Sequence, residues 1–441
     1  MIEALDGARE VAQVCAFLLA DKELAEAMLR AAERNVRVYA LTASEQRIGK
    51  LLREDDGFDQ RMAEEHKRLL DQLAGKVLVR SAEHFHAKFL VVDAHDPVRS
   101  VGFLSTANFN RALHENIELG VRLQGNDAAE LAAYFNWAFW CEAERELTEK
   151  GRLLPVPPPP GQPKVPAGPH IVGTLRSRLV LRETVLSMIG RARRHILLST
   201  YGIEWTHEAT QALLEALRQN VQVTIMTRPR PAVSAAVSAL AEAGATIVGH
   251  DKLHAKALVT EESALVMSAN LETGGLDHGF EVGVVLSGRM ADGIEATLRQ
   301  WEQDFPWVFR GDAMRGEHLG DFLPVDHGLR DGMIKVTQRH DQKCPDQIAP
   351  DALRLTEVPR PRLNPAPRPG EVPQHIAFTW VVVPPRLPKN AKPRQPSRAS
   401  EGNELPIYDH GGKAYVLVQD DVKTPEAQRL AKELSAIVVV P

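Results

Sequence analysis

The order of predicted strands and helices is the same in two separate parts of the chain. The strands lie at 11–19, 36–43 and 76–83 in the first part and at 194–203, 221–227 and 245–250 in the second. In each part the third strand is followed by a segment that begins with His-Ala-Lys, either HAKFLVVD or HAKALVTE. Strands that alternate with helices of about ten or more residues are typical of α/β layers around a mostly parallel sheet. The duplication therefore predicts two similar α/β domains.

The repeats, and the proline-rich stretches between and after them, set the predicted domain boundaries. Prolines in LPVPPPPGQPKVPAGP favour an extended spacer, with a ligand for a partner domain as the alternative. The tail predicts a small module with a hairpin at Gly411-Gly412, a helix capped by Thr424 and a final strand. The predicted units are a first domain at 1–153, a linker at 154–169, a second domain at 170–310, an irregular basic region at 311–404 with one edge strand within 375–383, and an accessory module at 405–441.

Composition and charge indicate an ordinary folded enzyme and leave the substrate open. Hydrophobic residues make up 44% and charged residues 25% of the 441 residues. The net charge of −5 means that any polyanion must be bound by local basic surface. Three scattered cysteines without a CxxC pair fit a reducing compartment. We find neither a secretion signal nor an apolar run of about 18 residues, so we expect a cytoplasmic protein without membrane insertion.

Each His-Ala-Lys segment is followed by the same polar residue types in the same order. The two sets are His86, Lys88, Thr106, Asn108 and Glu118, and His254, Lys256, Ser268, Asn270 and Glu281. Alternate residues of a strand point to the same face, so each histidine shares a face with its lysine. A single His-x-Lys pair is a weak signal. The recurrence of the whole linked set indicates one site built from two halves.

These residue types suit displacement at a phosphodiester. One histidine can act as the nucleophile and the other as the acid, because the imidazole pKa lies near neutral pH. The lysines and asparagines would hold the non-bridging oxygens, with Thr106 and Ser268 as additional donors to the substrate. Glu118 and Glu281 are the candidates for orienting the rings. Because lysine and asparagine already stabilise the developing charge, we expect no metal and no other cofactor.

The two sets resemble the signature of the phospholipase D superfamily, which is HxKxxxxD followed by a GSxN-type segment. The motif aspartate is Asp93 in the first copy and is replaced by Glu261 in the second. The family glycines are replaced by Ser105 and Met267, and the family serine is replaced by Thr106 in the first copy. The resemblance covers roughly residues 8–305 and leaves every proposed nucleophile, acid and clamp residue in place.

The resemblance implies two repeated α/β sheet domains with flanking helices, packed as a pseudo-twofold unit with both histidines facing one phosphate. It implies a phosphohistidine intermediate and favours His86 as the nucleophile and His254 as the acid. In the family, residues of the Asp93 type are often structural. We therefore give Asp93 and Glu261 a structural role.

The substrate is less constrained than the mechanism. Arg228 and Arg230, in TRPRP after a predicted strand, lie where open α/β sheets bind ligands, so we expect them to contact a flanking phosphate, with plain surface charge as the alternative. We predict a nuclease acting on DNA or RNA. The alternatives are a phospholipid phosphodiesterase or transphosphatidylase, which would need an apolar interfacial surface, and an effector subunit of a larger nucleic-acid-processing complex. Such a subunit would bind a partner protein through the proline-rich linkers or the C-terminal module, and further oligomerisation stays open.

Overall fold

The fold is that of a computed structural model. It describes residues 1–54, 60–110, 116–157, 165–175, 178–228, 230–250, 252–305, 307–310, 319–324, 333–338, 378–382, 385–394, 405–418 and 424–440.

The first domain is a layered α/β unit. Its strands are β1 (Val11–Ala16), β2 (Arg37–Ala43), β3 (Leu78–Ala82), β4 (Phe89–Val92), β5 (Val101–Ser105), β6 (Glu118–Gln124), β7 (Arg145–Glu149) and β8 (Arg152–Pro155). Its helices are α1 (Ile2–Gly7), α2 (Lys22–Glu33), α3 (Glu45–Glu54), α4 (Gln60–Leu73) and α5 (Gly125–Trp137), which continues as a π-helical turn at Ala138–Glu142. The sheet order is β6-β5-β4-β1-β2-β3-β7-β8.

The second domain repeats this plan. Its elements are β9 (Ile171–Leu175), β10 (Arg178–Leu179), α6 (Val180–Arg191), β11 (His195–Thr200), α7 (Glu208–Arg218), β12 (Gln222–Thr227), a 3-10 turn (Pro231–Val233), α8 (Ser234–Glu242), β13 (Thr246–Gly249), β14 (Ala257–Thr260), β15 (Ala264–Met267), α9 (Thr273–Leu276), β16 (Val282–Leu286), α10 (Arg289–Asp304), β17 (Trp307–Arg310), β18 (Leu319–Pro324) and β19 (Met333–Gln338). The sheet order is β10-β9-β16-β15-β14-β11-β12-β13-β17-β19-β18. The central order β16-β15-β14-β11-β12-β13 therefore matches β6-β5-β4-β1-β2-β3 of the first domain.

Both sheets are mixed, and the expectation of mostly parallel sheets is wrong. Strands β1, β2 and β3 pair in parallel, whereas the pairs β1–β4, β4–β5 and β5–β6 are antiparallel. The second domain repeats this pattern. The reason is loop length: only residues 261–263 separate β14 from β15, and a connection this short can form a hairpin but not a parallel crossover.

The two domains share one apolar core. Successive residues of β1 point to opposite faces, so Val14 packs in a cluster with α1 and α2, while Cys15 faces the second domain. The shared cluster joins side chains of both domains, and the Phe85 and Phe280 rings stack at 5.3 Å between centroids. Burial of this shared surface holds the two halves as one unit and fixes the position of the cleft between them.

The C-terminal region adds to the first domain and then forms a separate small sheet. Its elements are β20 (Phe378–Val382), β21 (Lys392–Pro393), β22 (Ile407–His410), β23 (Lys413–Leu417), α11 (Pro425–Leu434) and β24 (Ile437–Val439). Strand β20 extends the edge of the first sheet parallel to β6, with Phe378 opposite Glu118. The predicted hairpin is present, since Gly411 and Gly412 take φ of 58° and 77° as a primed turn requires.

The segment 311–404, which we expected to be irregular apart from one edge strand, also contains β18, β19 and β21. The remaining parts of this segment lie mostly outside the described residues, as does most of the basic proline-rich stretch within it. The predicted linker, 154–169, lies only in part within the described residues. In the portions of the chain that the structure covers, no helix combines the length and the apolar character that crossing a bilayer requires.

Candidate active site

The two His-x-Lys segments are held in place by the backbone of the opposite domain. The amides of His86 and Ala87 both donate to Phe280 O, at 3.2 and 2.9 Å. The amides of His254 and Ala255 both donate to Ile117 O, at 3.0 and 2.9 Å. Each histidine therefore sits at a junction of the two domains, and its position depends on how they pack.

The histidine side chains are oriented crosswise. The Nδ1 atom of His86 lies 2.5 Å from Glu281 Oε1, and Nδ1 of His254 lies 2.8 Å from Glu118 Oε1. Because an ionised carboxylate only accepts hydrogen bonds, each Nδ1 carries a proton and each Nε2 keeps its lone pair. The sequence indicated both glutamates as partners of the rings but did not indicate which glutamate serves which ring.

The hydroxyl residues lie behind the glutamates. Thr106 Oγ1 donates to Glu118 Oε2 at 2.6 Å, and Ser268 Oγ donates to Glu281 Oε2. Each hydroxyl oxygen also accepts a backbone amide of the adjacent strand. We expected Thr106 and Ser268 to bind substrate oxygens, but both are fully buried and their hydroxyl protons are used in fixing the carboxylates. Their position makes them supports of the His–Glu pairs.

The two lysines are buried against the rings. Lys88 Nζ lies 2.9 and 2.8 Å from Nδ1 and Nε2 of His86, and Lys256 Nζ lies 3.2 Å from both nitrogens of His254. Burial lowers the pKa of Lys88 to about 7 and that of Lys256 to about 8. Removing an ammonium group from water disfavours its charged form, and an anion placed beside it would favour that form again.

Burial also governs the charge of the histidines. It lowers the pKa of His86 to about 4 and that of His254 to about 3; the paired glutamate opposes the shift, and the adjacent lysine adds to it. The pKa of each glutamate is lowered, because the histidine, the lysine and the hydroxyl partner together outweigh burial. At neutral pH the site therefore holds two ionised carboxylates and two neutral rings.

The asparagines line the cleft. Asn108 and Asn270 both contribute to a cavity of about 430 Å³ that is also lined by His86 and His254. The Oδ1 atom of each asparagine is buried and makes no hydrogen bond to the described residues. Asn270 Nδ2 donates to Glu272 Oε1 at 2.8 Å.

One aromatic ring contacts each histidine, and the sequence analysis missed both rings. Phe17 packs edge-on against His86 at 4.8 Å between centroids, and Tyr201 packs in the same way against His254 at 5.0 Å. Each is the first residue after the first strand of its repeat. Superposing the two repeats on their histidines would have revealed this pair.

The two arginines take different positions. Arg228 Nε donates to Leu253 O at 3.1 Å, and its Nη2 donates to Asn116 Oδ1 at 3.2 Å. Arg230 stacks on Tyr201, with its guanidinium carbon 3.8 Å from the ring centre. Both line the cleft, but Arg228 also connects the loops that precede His254 and Glu118.

Asp93 and Glu261 lie at the far ends of the strands and bind backbone amides. Asp93 accepts the amides of Arg9, Glu10 and Val11 at 2.9 to 3.1 Å. Glu261 accepts the amides of Arg193 and Arg194 at 2.6 and 3.2 Å. Both side chains thus satisfy the amides where the chain enters the first strand of each repeat, as a structural role requires. Among the described residues, no group of three or more His, Cys, Asp or Glu is arranged to hold a metal ion.

Several solved structures resemble the fold at low identity. Polyphosphate kinase from Porphyromonas gingivalis shares 13% identity with a TM-score of 0.44, and the match covers 69% of this chain but only 45% of the kinase. Phosphatidylserine synthase from Haemophilus influenzae Rd KW20 shares 13% identity with a TM-score of 0.46, covering 69% of this chain and 82% of the synthase. The phospholipase D family member Nuc from Salmonella typhimurium shares 18% identity with a TM-score of 0.29, covering 32% of this chain and 96% of Nuc.

None of these similarities indicates what the chain acts on. No curated protein matches the chain.

The family model described as "Cardiolipin synthase, PLD-like domain" matches residues 1–140 and 185–308, which is more than half of the chain. The matched segments contain both His-x-Lys motifs and both glutamates that orient the rings. The chain therefore belongs to the phospholipase D superfamily, whose members carry out phosphodiesterase-type chemistry.

Proposed function

We propose that the chain is a metal-independent phosphodiesterase that cleaves DNA or RNA through a phosphohistidine. One observation carries the proposal: two histidines line a single cleft, and each has its Nδ1 atom engaged by a glutamate of the opposite domain. This arrangement leaves two Nε2 atoms for one phosphate, one to attack and one to protonate the leaving oxygen.

In the first step, Nε2 of His86 attacks the phosphorus atom. A P–N bond forms and the P–O bond to the leaving group breaks, while Nε2–H of protonated His254 gives its proton to the leaving oxygen. The phosphate charge raises the pKa of His254 on binding and so supplies the protonated form that the free site disfavours. Lys88, Lys256 and the two asparagines hold the non-bridging oxygens.

In the second step, water attacks the phosphorus atom and His254 takes its proton. The P–O bond to water forms, the P–N bond breaks, and His86 returns as a neutral ring. Glu281 stabilises the charge that His86 acquires in the intermediate, since its carboxylate lies against Nδ1. Each histidine ends the cycle in its starting protonation state.

Features of the surface favour nucleic acid as the substrate. Arg47, Arg228 and Arg230 line the cleft, and cationic side chains of this kind bind backbone phosphates. Of the described residues, only three large apolar ones are exposed, namely Val98, Leu154 and Val165. A phospholipid-cleaving or phosphatidyl-transferring enzyme would instead need a continuous apolar surface for its interface. The description of the matched family as cardiolipin synthase supports this second candidate.

The test is degradation of labelled single-stranded and double-stranded DNA and RNA in EDTA, beside release of headgroups from phospholipid vesicles. We expect wild-type protein to cleave nucleic acid, and His86→Ala and His254→Ala each to lose at least about a thousandfold in rate. His95→Ala is the matched control, because His95 is exposed and pairs with Glu10. Activity retained in either active-site variant would exclude the paired-histidine mechanism. Cleavage of vesicles alone would replace the nuclease proposal with the lipid one.

The elements of the small C-terminal sheet lie outside the two domains that form the cleft, so they are candidates for binding a partner protein. We propose that the small sheet β21–β24 is an accessory module, and that a protein partner in a nucleic-acid-processing complex binds there or on the proline-rich linker. Co-purification of a stoichiometric protein that is lost on deletion of residues 405–441 would support this role.

A further inference from the structure

The pseudo-twofold symmetry of the cleft is broken by charge. Strand register defines which residues correspond: Ala16 pairs with Thr42, and its counterpart Thr200 pairs with Thr227. One position further on, Ala43 of the first domain corresponds to Arg228. Two positions after that, Glu45 corresponds to Arg230. The second domain thus carries two arginines where the first has an apolar and an acidic residue.

The aromatic residues that contact the two histidines also differ between the domains. Phe17 and Tyr201 occupy equivalent positions against the two histidines. Only the tyrosine has arginines over its ring within the described residues, with Arg230 at 3.8 Å and Arg228 at 5.0 Å from its centre. Because a guanidinium stacked on an aromatic face keeps its in-plane N–H groups available, this stack can hold an arginine firmly and still let it bind an anion.

The two arginines differ in their contacts. Arg228 uses Nε and Nη2 to join Leu253 and Asn116, which precede His254 and Glu118 by one and two residues. It is a positioning residue that holds the second His–Glu pair together. Arg230 is different: its Nε is buried and makes no hydrogen bond to the described residues, and no described carboxylate forms an ion pair with it. A guanidinium N–H that no described protein group uses, on a side chain that lines the cleft, is available to an anionic ligand.

We propose that Arg230, stacked on Tyr201 beside His254, is a specificity-determining residue that binds a second phosphate on the leaving-group side of the scissile bond. This inference rests on the proposed phosphohistidine mechanism. In an in-line displacement the leaving oxygen lies opposite the nucleophile, hence beside the acid His254. The substrate then binds in one direction, and the group that departs carries the flanking phosphate.

Thymidine dinucleotides test the direction, because they differ only in the presence and position of a terminal phosphate. We expect one of the two forms, with the phosphate at the 5′ or at the 3′ end, to be cleaved with a kcat/KM about tenfold or more above that of the unphosphorylated dinucleotide, as one charge-assisted contact supplies. In Arg230→Gln this gain falls to about twofold or less, and Arg230→Lys retains part of it. Equal gains from both ends, or a full gain in Arg230→Gln, would overturn the proposal.

Two further variants separate this effect from a general loss of positive charge. Arg47→Gln removes the arginine on the first domain's side of the cleft and should retain the gain. Arg218→Gln, on the exposed face of α7, should change neither the gain nor the basal rate. Loss of the gain in Arg47→Gln to the same extent as in Arg230→Gln would show that the substrate does not bind in one fixed direction.

A failure of the nuclease proposal can be distinguished from a failure of the second-phosphate site. If none of the dinucleotides is cleaved while bis(p-nitrophenyl) phosphate is, the nuclease function is wrong, and the second-phosphate site is judged by inhibition of that reaction. Pyrophosphate should then inhibit about tenfold more tightly than orthophosphate, and Arg230→Gln should abolish the difference. Equal inhibition by the two anions in the wild-type protein would reject the site.

Discussion

At the residue scale, the crossed His–Glu pairs are the central feature. Each carboxylate holds the Nδ1 proton of a ring that belongs to the other domain, and a buried hydroxyl holds the second oxygen of that carboxylate. The imidazole is thereby fixed in the tautomer that presents Nε2 to the cleft. Loss of the carboxylate charge removes the stabilisation of an imidazolium without removing the ring.

Glu281→Gln should therefore lower kcat on bis(p-nitrophenyl) phosphate by about a hundredfold or more, because the charge opposite His86 is absent in the intermediate. Glu118→Gln should act similarly through His254. We expect KM to change much less than kcat, since neither glutamate contacts the substrate. A change confined to KM would show that the carboxylates bind substrate instead of orienting the rings.

The lysines give the site a dependence on pH. With a pKa of about 7 for Lys88 and about 8 for Lys256, both are charged in mild acid and lose their charge as the pH rises. An anion favours the charged form, so its binding weakens as the pH rises through these values. The inhibition constant of sulfate, which stays a dianion over this range, should rise by at least about tenfold between pH 6 and 9. Lys88→Met should flatten this dependence, and an equally steep rise in that variant would assign it to another group.

At the scale of an element, a buried histidine attaches helix α4 to the loop that follows β1 of the first domain. His66 lies on α4, and its Nδ1 accepts the amide of Leu19 at 3.1 Å. Burial lowers the pKa of His66 to about 4. The unfolded chain binds a proton near pH 6.5 and the folded chain does not, so stability is full above about pH 6.5 and is lost as the pH falls toward 4.

Between pH 7 and 5 this single group should reduce the free energy of unfolding by about 2 kcal/mol. His66→Gln keeps an acceptor for the Leu19 amide and does not titrate, so its free energy of unfolding should change less over the same range. Urea unfolding at both pH values measures the difference. His95→Gln serves as the control, because His95 is about half exposed. Equal acid sensitivity of wild type and His66→Gln would show that His66 is protonated in the folded state.

At the scale of the whole molecule, the C-terminal segment is attached to both domains. Arg386 bonds to His170, and its Nε lies 3.7 Å from Asp127 at the start of α5. Burial raises the pKa of Asp127 and of Glu130, while Arg386 opposes the shift. Lys413 of the small sheet adds a contact to Asp96 of the first domain at 3.2 Å. An ion pair between Arg386 and the buried Asp127 thus anchors the segment.

Arg386→Ala should release this segment by leaving the buried Asp127 without its ion pair. We expect limited proteolysis within residues 385–441 to become about tenfold faster, while the first and second domains stay intact. Lys413→Ala, which removes a half-exposed ion pair, should change the rate less than about twofold. Equal resistance of Arg386→Ala and wild type would show that strand pairing alone holds the segment.

The order of the amino acids alone predicts the repeated α/β plan, the histidines, lysines, asparagines and glutamates of the site, and the hairpin and helix of the C-terminal module. These features follow from local patterns, and the second copy of each motif distinguishes it from chance. The prediction that each His lies on the same side as its Lys agrees with the contact of His86 with Lys88, although both His-Ala-Lys segments lie directly before strands β4 and β14 and not within them.

Which groups come into contact depends on the folded arrangement of the two domains. Glu281 and His86 are 195 residues apart, and Glu118 and His254 are 136 residues apart, so no local pattern could assign the pairs. The burial of Thr106 and Ser268 behind the carboxylates, the antiparallel half of each sheet and the separate positions of Arg228 and Arg230 have the same origin. They depend on how the two domains pack across their shared core, because that packing determines which side chains of one half come within hydrogen-bonding distance of the other.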